Sequence, residues 1–161
     1  MTEPQRAGAS HDTEGWERRV ESLVDSLRGL YGQLDGLSRR QGELLAGDKL
    51  DALLALLRER QGVIDKIAVA AEELGPYVRD WDALAGRLDE ETRSRIRGGI
   101  DEIEATARAV GRRDDEHRRA LESQRNRVAD QLAGVGRGRA AVSAYGGGKR
   151  VASPRFQDRQ G

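Results

Sequence analysis

Side chains able to do chemistry are few in this chain. It has two histidines, His11 near the start and His117 far along. Asp114 and His117 stand at i and i+3, which puts them on one face of a helix at the spacing of carboxylate-bridged metal sites. Such sites also need several further inward carboxylates and a second histidine-bearing motif, and the other apolar seams supply neither. The bland reading is therefore preferred: a polar layer, or an exposed stretch formed by Arg112, Arg113, Asp114, Asp115, Glu116, His117, Arg118 and Arg119. Cysteine is absent, which removes disulfides, thiolate metal ligands and thiol nucleophiles. Gly146-Gly147-Gly148-Lys149 has the lysine of a phosphate loop, but Ser143 stands where glycine is required and Arg150 where serine or threonine is required. No strand leads into it. Gly134-Val135-Gly136-Arg137-Gly138 lacks a preceding strand in the same way, so a dinucleotide-binding turn is not indicated. The expectation is a protein with no metal, no cofactor and no enzymatic activity.

Function then has to come from surfaces, and composition limits which surfaces are available. Of 161 residues 37% are hydrophobic, 4% aromatic and 35% charged, too little apolar mass for a broad globular core but enough for narrow seams between long helices. Lys+Arg and Asp+Glu are 28 each, so no global field draws the chain to nucleic acid or to an anionic membrane. One local basic run exists, Arg137, Arg139, Lys149, Arg150 and Arg155, with only Tyr145 and Phe156 interleaved. It complements a helix C-terminus and keeps a tail soluble as well as it would touch phosphates, and no nucleic-acid partner is expected. No apolar run approaches the ~18 residues of a membrane span, and Met1 to Ser10 lacks the apolar core of a signal peptide. With no cysteine, the expected setting is cytoplasmic, without membrane insertion.

The elements that position these residues are read from heptads. A first seam runs Trp16, Val20, Leu23, Leu27, Leu30, Leu34, Leu37, Gln41 and Leu44, with steps alternating between four and three. It slips at Gly47-Asp48, where glycine can end a helix and aspartate can cap the next, so a tight hairpin is expected there. A second seam is read through Leu50, Leu53, Leu57, Arg60, Ile64, Ile67, Ala71, Leu74, Val78, Trp81, Ala85 and Leu88, with a kink or an in-line break at Gly75-Pro76. After acidic Asp89, Glu90 and Glu91, a third seam runs Ile96, Ile100, Ile103, Ala107, Val110, Asp114, His117, Leu121, Gln124, Val128, Val135, Val142 and Tyr145. The expected fold is all-α: an elongated antiparallel helical hairpin plus a long third helix, a coiled-coil-like three-helix bundle with disordered tails. Residues 1–12 form the flexible N-terminal segment, 13–145 the helical domain and 146–161 a flexible basic tail.

If the first helix (about 13–46) folds back on the second (about 49–88), the third runs parallel to the first. Being longer, it should overhang the hairpin from about Gln124 to Tyr145. The stripe Leu121, Gln124, Val128, Leu132, Val135, Val142 and Tyr145 then lacks an internal partner and becomes a helix-in-groove binding surface. Mispairing of the helices, fraying of the overhang and burial in a dimer are the competing outcomes. Gly134, Gly136 and Gly138 each weaken that segment by ~1 kcal/mol relative to alanine.

The stretch from Leu37 to Ile67, with its Gly-Asp turn between two leucine-rich helices and the polar pair Arg60-Gln61, resembles the first helical hairpin of FlgN-type flagellar export chaperones. The ending Ala144-Tyr145-Gly146-Gly147-Gly148 with its polar tail is similar to that family's ending. The resemblance implies a cytoplasmic chaperone of flagellar type III export. It would bind the terminal helices of hook-associated (hook-filament junction) proteins on its C-terminal helix and deliver them to the export gate FlhA, with Tyr145 a candidate gate contact. Members often carry asparagine in the binding helix, where this chain offers Asn126 beside Gln124. A monomer or weak homodimer is expected. The alternatives are a self-associating coiled-coil structural or adaptor protein and another secretion chaperone with the same three-helix plan.

Overall fold

In a computed structural model the chain is described over residues 9–47 and 49–146, with side chains from residue 15 onward. The segments 1–8 and 147–161, and with them most of the two expected tails, lie outside the described residues, as does the side chain of His11. Among the described residues there are four helices and no strand: α1 (Ala9–Ala46), α2 (Leu50–Arg79), α3 (Trp81–Ala85) and α4 (Glu90–Gly146). The chain divides into two units, one ending at His117 and one starting at Arg118.

The first unit is built on an antiparallel α1–α2 pair. Helix α1 buries Val20, Leu23, Leu27, Leu34, Leu37 and Gln41 of the seam expected on it, together with Val24 and Ser38, which that seam does not contain; Trp16, Leu30 and Leu44 are half-buried. The hairpin turn is tight, Gly47 N–H donating to the Leu44 carbonyl (3.2 Å) and Leu53 N–H to the Lys49 carbonyl (3.0 Å). Asp48, the expected cap, lies outside the described residues; Lys49 occupies the N-cap position and makes no side-chain cap bond. Arg19 pairs with Glu73 toward the far end, where Trp16 stacks on Tyr77 with ring centroids 6.5 Å apart. That stack falls in the range where aromatic pairs add to simple burial.

On α2 the structure corrects the expected seam. Leu56, Val63, Ile67 and Leu74 are buried, with Arg60, Ala70, Tyr77 and Trp81 partly covered. This heptad shares Leu53, Arg60, Ile67 and Leu74 with the expected one, and beyond α2 the expected Trp81, Ala85 and Leu88 are covered too, but it takes Leu56, Val63, Ala70 and Tyr77 in place of Leu57, Ile64, Ala71 and Val78. Leu50 (66% exposed), Leu57 (38%), Ile64 (37%) and Val78 (47%) face solvent instead. The reason is that α2 is apolar at adjacent positions, so two three-four patterns thread the same residues and spacing alone does not choose between them.

Helix α2 passes through Pro76 without ending. The proline deletes one N–H and the helix continues to Arg79, with Asp80 N–H donating to the Pro76 carbonyl (3.2 Å). The break falls at Asp80, whose carbonyl accepts from Ala83 (3.1 Å) and Leu84 (3.0 Å) N–H to start α3. Asp89 then caps α4: its carboxylate accepts from the Thr92 N–H (2.7 Å) and hydroxyl (2.9 Å). Arg93 reaches back from the first turns of α4 to the carbonyls of Ala85 (2.9 Å) and Leu88 (3.0 Å), closing the connection.

Up to His117, α4 runs parallel to α1. Contacts advance together along both helices: Arg95 with Glu21, Gly99 against Val24, Arg28 with Glu102, Arg113 with Asp35, Asp114 with Ser38, and His117 over Gly42. At two of these a larger residue than glycine would force a neighbour to move. A Cβ on Gly99 would overlap Val24 Cγ1, and one on Gly42 would stand 2.7 Å from His117 Nε2.

Candidate functional site

Asp114 and His117, the pair with metal-site spacing, lie in the first unit and are engaged in packing. Asp114 forms an ion pair with Arg60, whose side chain is 14% exposed, and accepts a hydrogen bond from Ser38 Oγ (3.3 Å). Arg60 also donates from Nη1 to Gln41 Oε1 (2.9 Å). One helix turn further on, His117 rests on the bare backbone of Gly42. Among the described residues no group of three or more His, Asp or Glu side chains is placed to hold a metal ion. The result is a polar layer across α1, α2 and α4. A buried guanidinium with fixed partners costs desolvation and returns specificity of alignment, because a helix slid by one turn would leave Arg60 without its carboxylate. Beside it Arg113 donates to Asp35 (2.9 Å), and that hydrogen bond, against the opposing effect of burial, holds the Asp35 carboxyl below its ordinary value.

Arg60, Gln41, Asp114 and His117 all stand in the seams read from the sequence, so the layer's members were legible and their pairing was not. Ser38, fully buried, sits just off the seam beside Leu37 and was missed.

The second unit contains the stripe expected to bind a partner. From Arg118 to Gly146 the chain is helical, and every residue is exposed. Leu121 (45%), Val128 (48%), Leu132 (67%), Val135 (55%), Val142 (73%) and Tyr145 (89%) are large apolar groups in water, and Gln124 is exposed among them. A row of six such side chains is more than the scattered exposure usual for a soluble surface. Heptad spacing places them on one face, because 121, 128, 135 and 142 are seven apart with 124, 132 and 145 alongside. Charge is one-sided: Arg118, Arg119, Arg125, Arg127, Arg137 and Arg139 stand against Glu122 and Asp130, and Arg118, Arg125 and Arg139 follow one shoulder of the stripe at multiples of seven residues. Gly134, Gly136 and Gly138 have open space around them, so nothing in the packing calls for glycine. The arrangement can bury an amphipathic helix and attract one with acidic edges.

Among the described residues the fold is all-α, and the apolar stripe of residues 121–145 is exposed. Compared with known proteins, the chain matches no family model, no curated protein and no solved structure.

Proposed function

We propose that this protein is a binding protein of the export-chaperone kind: it holds the amphipathic terminal helix of a secreted partner on residues 121–145 and does no chemistry. The observation that carries this reading is the run of fully exposed helix from Arg118 to Gly146 with its apolar stripe. Each large side chain covered there contributes roughly 1.5–3 kcal/mol, enough over several residues to outweigh association costs and support micromolar or tighter binding. The resemblance to FlgN-type chaperones supports naming hook-filament junction proteins as the clients and FlhA as the receiving gate, with Tyr145 at the end of the stripe as the gate contact. On this reading the chain works in the cytoplasm; among the described residues no helix is long and apolar enough to cross a membrane.

The test is binding of a purified hook-associated protein to the full chain and to Val128→Asp/Val135→Asp. Both sites are exposed, so the first unit keeps its fold. The variant should lose at least tenfold in affinity, since two charges are placed where apolar contact forms. Unchanged affinity would move the binding site elsewhere.

A further inference from the structure

The corrected seam on α2 leaves a second, complete heptad stripe in solvent. Leu50, Leu54, Leu57, Gln61, Ile64, Ala68, Ala71, Gly75 and Val78 alternate in steps of four and three. All but Gly75 are exposed, Leu54 at 45%. Because the buried heptad on the same helix is kept from Leu56 to Tyr77, this second stripe stays in line with it over the length of α2. Its outer flank carries Asp51, Arg58, Asp65, Glu72 and Arg79, one every seven residues and all exposed. The other flank is the seam already buried against α1.

We propose that this stripe is the interface of a homodimer in which α2 packs antiparallel against α2 of a second copy, about a twofold axis near Lys66. Charge and size both select that occupant and that register. Antiparallel pairing about residue 66 lays Ile64 opposite Ala68 of the second copy, Leu57 opposite its Gly75, Gln61 opposite its Ala71 and Leu54 opposite its Val78. A large group meets a small one in the first three of these layers, the complementarity that lets helices approach closely. The same register brings Arg58 to Glu72 of the second copy and Asp51 to its Arg79, each pair made twice by symmetry. The one like-charge meeting is Asp65 with its own copy, on the axis. Shifting the pair by one heptad in one direction sets Arg58 against Arg79 and Asp65 against Glu72; shifting it in the other sets Asp51 against Glu72. Flanking charges of this kind choose partner and register. The contact is isologous and closes at two copies. It uses a face different from residues 121–145 and stands whether or not the client reading does.

The cysteine-free chain makes the test direct. Sedimentation of the full chain over a dilution series should pass from twice 17.7 kDa to 17.7 kDa. Full-length Asp65→Cys should form an oxidised disulfide dimer, while Ser123→Cys, on the second unit, should not. Arg58→Glu should raise the dimer dissociation constant by about tenfold, from losing two symmetry-related pairs. Arg58→Glu/Glu72→Arg, which swaps both charges, should restore it. A monomer at every concentration, cross-linking at residue 123 in preference to 65, or failure of the charge swap to restore association would each overturn the proposal.

Discussion

Two adjacent glycines give a sharp test of how α4 seats on α1. Gly98 and Gly99 share one helix and one backbone geometry, so replacing either with alanine gains the same helix propensity, ~1 kcal/mol. Their surroundings differ. Gly98 has nothing near it, whereas a Cβ on Gly99 would overlap Val24 Cγ1 and stand 3.4 Å from Arg28 Cδ. Val24 is 3% exposed and cannot swing into water. Forcing an extra methyl into such a contact costs ~1–3 kcal/mol. Gly98→Ala should therefore stabilise the chain by ~1 kcal/mol, and Gly99→Ala should fall between neutral and ~2 kcal/mol destabilising. The difference between the two, with propensity cancelled, is the packing cost. Val24→Ala makes room, so Gly99→Ala should be less harmful in that background, with a coupling of ~1 kcal/mol or more. Urea unfolding followed by circular dichroism measures the four variants against the unaltered chain, and an unchanged denaturant slope shows that the same transition is being compared. If Gly98→Ala and Gly99→Ala shift the midpoint equally, α4 does not lie on α1 at Val24, and the parallel packing described above is wrong.

Three other outcomes follow from the same structure. Asp114→Leu should cost ~2 kcal/mol or more by stranding the Arg60 guanidinium, whereas Arg60→Leu/Asp114→Leu should recover most of it; equal losses in single and double variants would refute the polar layer. Replacing Gly134, Gly136 and Gly138 together with alanine should raise helix content and harden residues 118–146 against proteolysis without changing the unfolding of the first unit, since each position is open and gains ~1 kcal/mol of helix preference. For pH, Asp35 is held below its ordinary 3.8 first by the Arg113 hydrogen bond, and Asp89 first by the Thr92 N–H. Their contribution is then complete above the ordinary carboxylate value and lost as pH falls through the lowered one. The urea midpoint should drop below about pH 4, and Asp35→Asn/Asp89→Asn should flatten that drop; an unaltered slope would contradict it.

How far the sequence reached differs from helix to helix. The first seam was readable because apolar residues on α1 are sparse: between Leu30 and Leu44 few besides Leu34 and Leu37 can face a neighbour, so spacing decides. The acidic run Asp89, Glu90 and Glu91 marked the start of α4 for a local electrostatic reason that needs no tertiary information. The parallel run of α4 beside α1 came from helix lengths and turn positions, which geometry constrains. On α2 the reading failed because Leu53, Leu54, Leu56 and Leu57 crowd one and a half turns. Which of two stripes is buried is then decided by what α1 presents, and heptad counting on one helix cannot see that. The same crowding left the Arg60–Asp114 pair unread although both residues had been placed in seams. The exposed stripe after Arg118 was legible as a list of residues, because period and composition suffice when nothing has to be matched against it.

The central claim is that the exposed face of residues 121–145 grips a client helix. Isothermal titration of a purified hook-filament junction protein into the full chain measures it most directly. One-to-one binding that weakens at least tenfold in Val128→Asp/Val135→Asp is the expected result. Full-strength binding by that variant, or no binding by the unaltered chain, would contradict it.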